Sequence, residues 1–201
     1  MSTAALAPAS LETRERERLL LFAAAEAILL RGDCDALTPD SIEGESLEAA
    51  EILARGFPDF DSFLAALLSH HLGTVLQSLG TLRPSVGHGT VESNLASALL
   101  AAFSPLTVHH VILSTSRAPL RPAAAGRGVR GIPVLVRAGA EVSGYLSAER
   151  DLGRIARTAD VDRLAQSIVG AVHLLTEGSR GTVDPFRVEE AVESVLDAHL
   201  T

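Results

Sequence analysis

The chain contains no lysine and no tryptophan, and only one tyrosine, one cysteine and one methionine among its 201 residues. All 17 basic side chains are therefore arginines. With Cys34 alone, no intrachain disulfide can form; a reducing compartment suits such a chain, and Cys34 reads as an ordinary loop thiol. Aromatic residues make up 3%, so the core has to be built from Leu, Ala, Val and Ile. No apolar run reaches the roughly 18–20 residues that span a bilayer. The segment MSTAALAPAS has neither a basic region nor a long apolar one, so no signal peptide and no membrane partner are expected, and a cytoplasmic location is. Residues 1–12 are expected to form a disordered tail.

Catalytic and metal signatures are missing too. There is no HExxH and no spaced Cys/His set. His70-His71 and His109-His110 are adjacent pairs, whose members point about 100° apart on a helix, so neither pair chelates alone. No nucleophile elbow and no recognisable carboxylate pair occur. The expectation is a protein that is not an enzyme, with no metal site and no cofactor. GRGVRG at 126–131 fits G-x-G-x-x-G, but that motif needs a strand before it and a helix after it. An interhelix loop is the simpler reading, with arginines that could meet an anionic ligand.

What is present points to helices. Apolar residues reach 47% and charged residues 21%, a globular balance. Abundant Ala and Leu tilt the class to all-α. The net charge of −8 argues against a simple nucleic-acid binder. Its distribution is more telling: residues 1–60 carry twelve acidic side chains against five basic ones, whereas the stretch between Glu92 and Glu141 has no acid and five arginines, at 117, 121, 127, 130 and 137.

Residues 13–31 read as one helix with Leu20, Ala23, Ala24, Ala27, Ile28 and Leu30 inward and Gly32 as its stop. Thr38-Pro39 is a helix start, hydroxyl cap then proline, with Ile42 inward. A second short helix covers 46–55, and Gly56-Phe57-Pro58 breaks the chain. A longer amphipathic helix covers 59–79, and 80–90 reads as a loop or hinge. Further helices are expected over 91–103, 105–116, 132–149, 160–178 and 184–200, the last capped by Asp184 with Pro185 following. The run IPVLV at 132–136 is open between strand and buried helix. Two short helices joined by a tight turn and packed on a longer one make a helix-turn-helix arrangement.

The pattern Gly32, Thr38, Ile42, Phe57, after an Arg-Glu helix start with Ala24 and Ala25, resembles the TetR/AcrR family of transcriptional regulators without a gap. Residues 153–178, with a Gly-Arg turn, Asp160 and mid-helix Gly170, resemble that family's penultimate helix. Several positions depart from the pattern. The family's Ala-Gly-Val-Ser turn falls on Ser46, Leu47, Glu48 and Ala49, its Tyr on Ala54, and its phosphate-contacting Lys on Phe60. The helix-turn-helix is thus degenerate. Its candidate reading face holds Glu45, Glu48 and Glu51 with Arg55 as the sole cation, and carboxylates near phosphates oppose binding.

The resemblance implies a helix-turn-helix head at 13–58, a connecting helix at 59–82, and a ligand-binding and dimerisation bundle at 83–201. It implies a ligand-responsive homodimer, a repressor of operator DNA, contacting it through Arg14, Arg16, Arg18, Thr38, Ser46 and Arg55. The alternative is a protein of this fold that has lost conventional DNA binding. A small, largely apolar or anionic ligand would be lined by Leu99, Phe103, His110, Leu113 and Tyr145. Stripes at helical spacing nominate Val161, Leu164, Ile168, Val172, Leu175, Val188, Val192 and Val195 for the dimer interface.

Overall fold

A computed structural model describes residues 11–117, 120, 131–179 and 183–201. Most of the expected tail, Arg121, Arg127, Arg130 and positions 126–130 of the glycine motif lie outside the described residues. Among the described residues there is no strand, only an isolated bridge between Ile155 and Leu200. No single described helix is long and apolar enough to cross a membrane. The chain divides into two compact units, Met1–Leu64 and Ala65–Thr201.

The first unit packs three helices on one another: α1 (Leu11–Arg31), α2 (Pro39–Glu43) and α3 (Leu47–Gly56). α1 buries Leu21, Phe22, Ala25, Ile28 and Leu29. This corrects the expected face, because Leu20, Ala23 and Leu30 are exposed. Between Leu19 and Leu30 only Glu26 interrupts the apolar run, so periodicity could not choose a side; packing of Phe22 did. Its ring lies 6.0 Å from Phe63 and 6.5 Å from Phe57, and Phe57 meets Phe63 edge-on at 5.3 Å.

Caps set the helix starts. Thr38 Oγ1 accepts from Ser41 N–H at 3.1 Å while Ser41 Oγ accepts from Thr38 N–H at 3.0 Å, a reciprocal capping box ahead of Pro39. Ser46 Oγ accepts from Ala49 N–H at 3.0 Å and starts α3. The serine cap that the family register put on Ala49 is therefore supplied three residues earlier, which lengthens α3 by nearly a turn. Ser46→Ala should lower stability by about 1 kcal/mol; a urea titration checks it, and no change would mean the cap contributes nothing.

α4 (Phe60–Leu79) leads into the second unit, followed by α5 (Leu82–Ser85), α6 (Val91–Ala102), α7 (Pro105–Ser116), α8 (Pro133–Asp151), α9 (Val161–Glu177) and α10 (Pro185–Leu196). α5 occupies part of the expected hinge at 80–90, because Leu82 is buried and fixes that turn. The ambiguous 132–136 run is helix, with Pro133 at its first position. α10 stops at Leu196, short of the expected 200. A 3₁₀ turn over Asp197–His199 redirects the chain, and Ala156 N–H donates to His199 O at 2.8 Å. α9 packs between α8 and α10, α10 also lies on α6, and α9 meets α7. Val142, Leu146, Ile168, Val172, Val192 and Leu196 are sealed at the centre of this bundle.

Candidate functional site

Three groups of side chains carry the chemistry. The first is the outward side of the helix-turn-helix. Glu48, Glu51, Ala54 and Arg55 are exposed on α3, and Leu47 stands 86% exposed at its start. Arg55 pairs with Glu17 on α1 at 2.8 Å, and Arg31 pairs with Glu45 in the turn before α3. Arg18 lies over the rings of Phe22 and Phe57 at 5.7 and 5.8 Å. Exposed pairs add at most about 1 kcal/mol each, yet they occupy the guanidinium groups nearest the reading helix. Of the nominated DNA contacts, Thr38 and Ser46 are spent on caps, Arg18 on stacking and Arg55 on Glu17. Arg14 and Arg16 are exposed at the start of α1.

The second group lies inside the second unit. His71 on α4 and His110 on α7 stack face to face, centroids 3.9 Å apart and planes 8° from parallel. Their tautomers follow from their partners. His110 Nδ1 lies 2.7 Å from Leu106 O, an acceptor, so Nδ1 carries the proton and Nε2 the lone pair. Thr107 Oγ1 donates to Ala102 O at 3.0 Å, so at 3.1 Å His71 Nε2 donates to it and His71 Nδ1 keeps the lone pair. His110 Nε2 is buried without a hydrogen-bond partner, a loss of about 1 kcal/mol or more. Burial, then the neighbouring charges of His110 and His70, push His71 down to about 3. Burial pushes His110 down to about 4 against the Leu106 hydrogen bond, helped by His109 and His70. Both rings are neutral at pH 7. They line a cavity of about 60 Å³ with Ser69, Ser114 and apolar neighbours.

The third group is a buried polar latch. Glu149 on α8 is fully buried, accepts from Gly87 N–H at 3.1 Å, and pairs with Arg154 at 3.0 Å. Asn94 Nδ2 donates to His88 O at 2.7 Å and to Tyr145 OH at 3.0 Å. Burial, opposed by the Asn94 contact, pushes Tyr145 up to about 12. The sequence reading passed over Glu149, which falls in no motif, and took Arg154 only as part of the Gly-Arg turn; the signal available was an acid standing in helical register on the apolar stripe Val142, Tyr145, Leu146.

Of the nominated ligand pocket, the structure brings only His110 to that cavity. Leu99, Leu113 and Tyr145 fill the core, and Phe103 borders a separate open cleft beside Leu100 and Pro185. The nominated dimer stripe is also largely internal. Val161, Leu164, Ile168, Val172, Val188 and Val192 are buried in their own chain, leaving Leu175 and Val195 partly exposed. Each stripe reports the face turned to the intramolecular core, which in a helix pair is the stronger periodic signal. The outward apolar side chains of α9 and α10 are Leu174 and Phe186.

A short helix-turn-helix unit followed by a larger helical bundle is the fold of the TetR-family transcriptional regulators. A TetR-family regulator from Agrobacterium tumefaciens superposes with a TM-score of 0.70 at 11% identity, covering 94% of this chain and 100% of that one. Two further proteins assigned to that family match as well. One, from Mesorhizobium loti, gives 0.64 at 14% identity over 94% and 98% of the two chains; the other, from a Rhodococcus species, gives 0.65 at 16% over 93% and 100%. No family model and no curated relative matches the sequence.

Proposed function

We propose that the chain is a homodimeric, ligand-responsive transcriptional regulator, acting as a repressor. The observation that carries this is the fold itself, shared over nearly the whole length with regulators of one family. Leu174 and Phe186, exposed at 67% and 70%, support a seam built from the outward sides of α9 and α10. Two such subunits would place two reading heads across a two-fold axis. An effector would act by binding one head spacing better than another. The exposed Arg14 and Arg16 are the cations available to phosphates.

One observation favours a second reading, in which the head no longer grips DNA. Glu45, Glu48 and Glu51 surround α3, and the nearest arginines are engaged by Glu45 and Glu17. A binder with few phosphate contacts loses the counterion-release term that dominates affinity.

A mobility-shift titration against the DNA upstream of its own gene, at 50 and 200 mM salt, separates the readings. The first expects a complex at 50 mM that weakens with salt. The second expects none in the wild type, and a gain of tenfold or more in Glu48→Arg/Glu51→Arg. Sedimentation equilibrium tests the dimer independently: Leu174→Glu should yield monomer, and a wild type that sediments as a monomer at micromolar concentration rules the seam out.

A further inference from the structure

We propose that the cavity between α4, α7 and the start of α8 binds a slender, uncharged aliphatic alcohol, whose hydroxyl donates to His110 Nε2 at the edge of the histidine stack. A donor that approaches this ring in its own plane leaves its face on His71, and neither the Leu106 nor the Thr107 hydrogen bond has to break. This names a ligand class for the regulatory reading above and rests on that reading only for the consequence on DNA; binding itself does not depend on it.

Unmet acceptors carry the proposal. His110 gives its one N–H, on Nδ1, to Leu106 O at 2.7 Å, and Nε2 is left as a buried lone pair with no hydrogen-bond partner. The residue is 2% exposed, so bulk solvent does not offset the loss. His71 gives its N–H, on Nε2, to Thr107 Oγ1, which is itself held between Ala102 O and Ser104 N–H.

The hydroxyls agree with the rings. Ser114 Oγ donates to Val111 O and Ser69 Oγ to Ala65 O, both at 2.8 Å. The polar side chains of the described lining therefore offer lone pairs to a guest and no spare N–H or O–H. Charge then excludes both kinds of ion. A carboxylate or phosphate would set its own lone pairs against these, and the rings do not take up a proton to meet it, because burial pushes His71 down to about 3 and His110 to about 4. The anionic alternative raised by the sequence does not fit this lining. An ammonium would lose its hydration with no carboxylate among the described lining residues to balance it. A neutral hydroxyl supplies the missing donor without either penalty.

Size and lining decide between neutral donors. About 60 Å³ is roughly the share of two waters in the liquid, room for a hydroxyl and the first carbon or two of a chain. Leu68, Leu72, Pro133 and Val134 give those carbons an apolar wall. Ser69 is exposed, so the rest of the chain leaves at that rim. A water would satisfy Nε2 and leave the apolar wall uncovered; a polycyclic alcohol exceeds the space. Nε2 exposes almost no area, so the hydroxyl reaches it through a rotamer change of the partly buried Leu68 or Leu72, which holds affinity to the millimolar range.

The test follows the full wild-type chain in long-range nitrogen–proton spectra, without DNA, and uses butan-1-ol as the probe. The alcohol should shift His110 Nε2 saturably at millimolar concentration while Nδ1 stays protonated. Methyl propyl ether, its isomer without a donor, should bind about tenfold more weakly or worse, the scale of one hydrogen bond to a buried acceptor. Butanoate and butylammonium should give no saturable shift at His110. His110→Phe keeps a flat ring for the stack and removes the acceptor; by ligand-detected relaxation it should lose the preference for alcohol over ether, whereas His88→Asn, at an exposed position, should keep it. Equal affinity for alcohol and ether, a preference that survives in His110→Phe, or shifts confined to other histidines overturns the site, and a saturable shift with butanoate overturns the ligand class. The wild-type spectra decide the matter alone if the phenylalanine variant does not fold. Binding of butan-1-ol that leaves the mobility-shift titration unchanged supports the site and counts against the regulatory reading only.

Discussion

Replacing Arg154 by alanine should lower the unfolding free energy of the chain by about 3–5 kcal/mol, the range for removing one partner of a buried ion pair. Glu149 has no water to fall back on, since its side chain is fully buried. Arg154 reaches both its oxygens, at 3.0 and 3.3 Å, while Arg154 Nη2 also donates to Gly89 O. Without the guanidinium the carboxylate keeps the Gly87 N–H as a partner. The loop it holds turns on two glycines in the left-handed region. Gly87 and Gly89 have φ of +76° and +59°, and a Cβ on Gly87 would stand 3.1 Å from Leu152 Cδ1. Arg154→Lys should rescue only part of the loss, because an ammonium cannot reproduce the planar fork. Glu149→Met/Arg154→Met should cost less than Arg154→Ala alone, since it leaves no buried charge unpaired. Urea titrations of the three variants check this, and a loss below 1 kcal/mol for Arg154→Ala would mean that water reaches Glu149.

The fold was legible wherever local chemistry marks an end. Thr38-Pro39, Asp184-Pro185 and Gly56-Phe57-Pro58 each bounded a helix near where they were expected, because caps and proline act within a turn. The direction of faces was less legible. In α1, where eleven of the twelve residues from Leu19 to Leu30 are apolar, the sequence carries no angular information, and the inward face was set by contacts with Phe57 and Phe63 from other elements. The stripes on α9 and α10 were read correctly as apolar faces, but a stripe does not say whether its partner is the same chain. The site was least legible of all. His71 and His110 belong to pairs that look inert locally, and their stacking depends on how α4 and α7 pack. Arg154 lies in the segment that resembles the family and Glu149 just ahead of it, yet their role depends on Gly87 and Gly89, more than sixty residues earlier.

The acidity of the head has the same long-range character. Counting charges finds the excess of carboxylates, but only the fold pairs Arg31 with Glu45 and Arg55 with Glu17. Those contacts turn a merely acidic helix into one whose neighbouring cations are also occupied. That is why charge reversal at Glu48 and Glu51, which leaves both pairs in place, is the informative change for DNA affinity.

The histidine stack makes stability fall with acid. Folded values of about 3 for His71 and about 4 for His110 lie below the ordinary 6.5, so the unfolded chain binds protons first. The native state is therefore fully favoured above pH 6.5, and that advantage is lost as pH drops through 6.5 toward 4 and then 3. Protonating both rings would also set like charges about 4 Å apart, with His70 and His109 adding to the repulsion. Between pH 7 and pH 5 the two rings together should cost on the order of 3 kcal/mol. Urea titrations at both pH values measure the difference. His71→Gln/His110→Gln, which cannot titrate, should lose most of this dependence while retaining whatever the carboxylates and other histidines contribute. An unchanged dependence in that variant would place the acid sensitivity elsewhere and show that both rings already reach solvent in the native state.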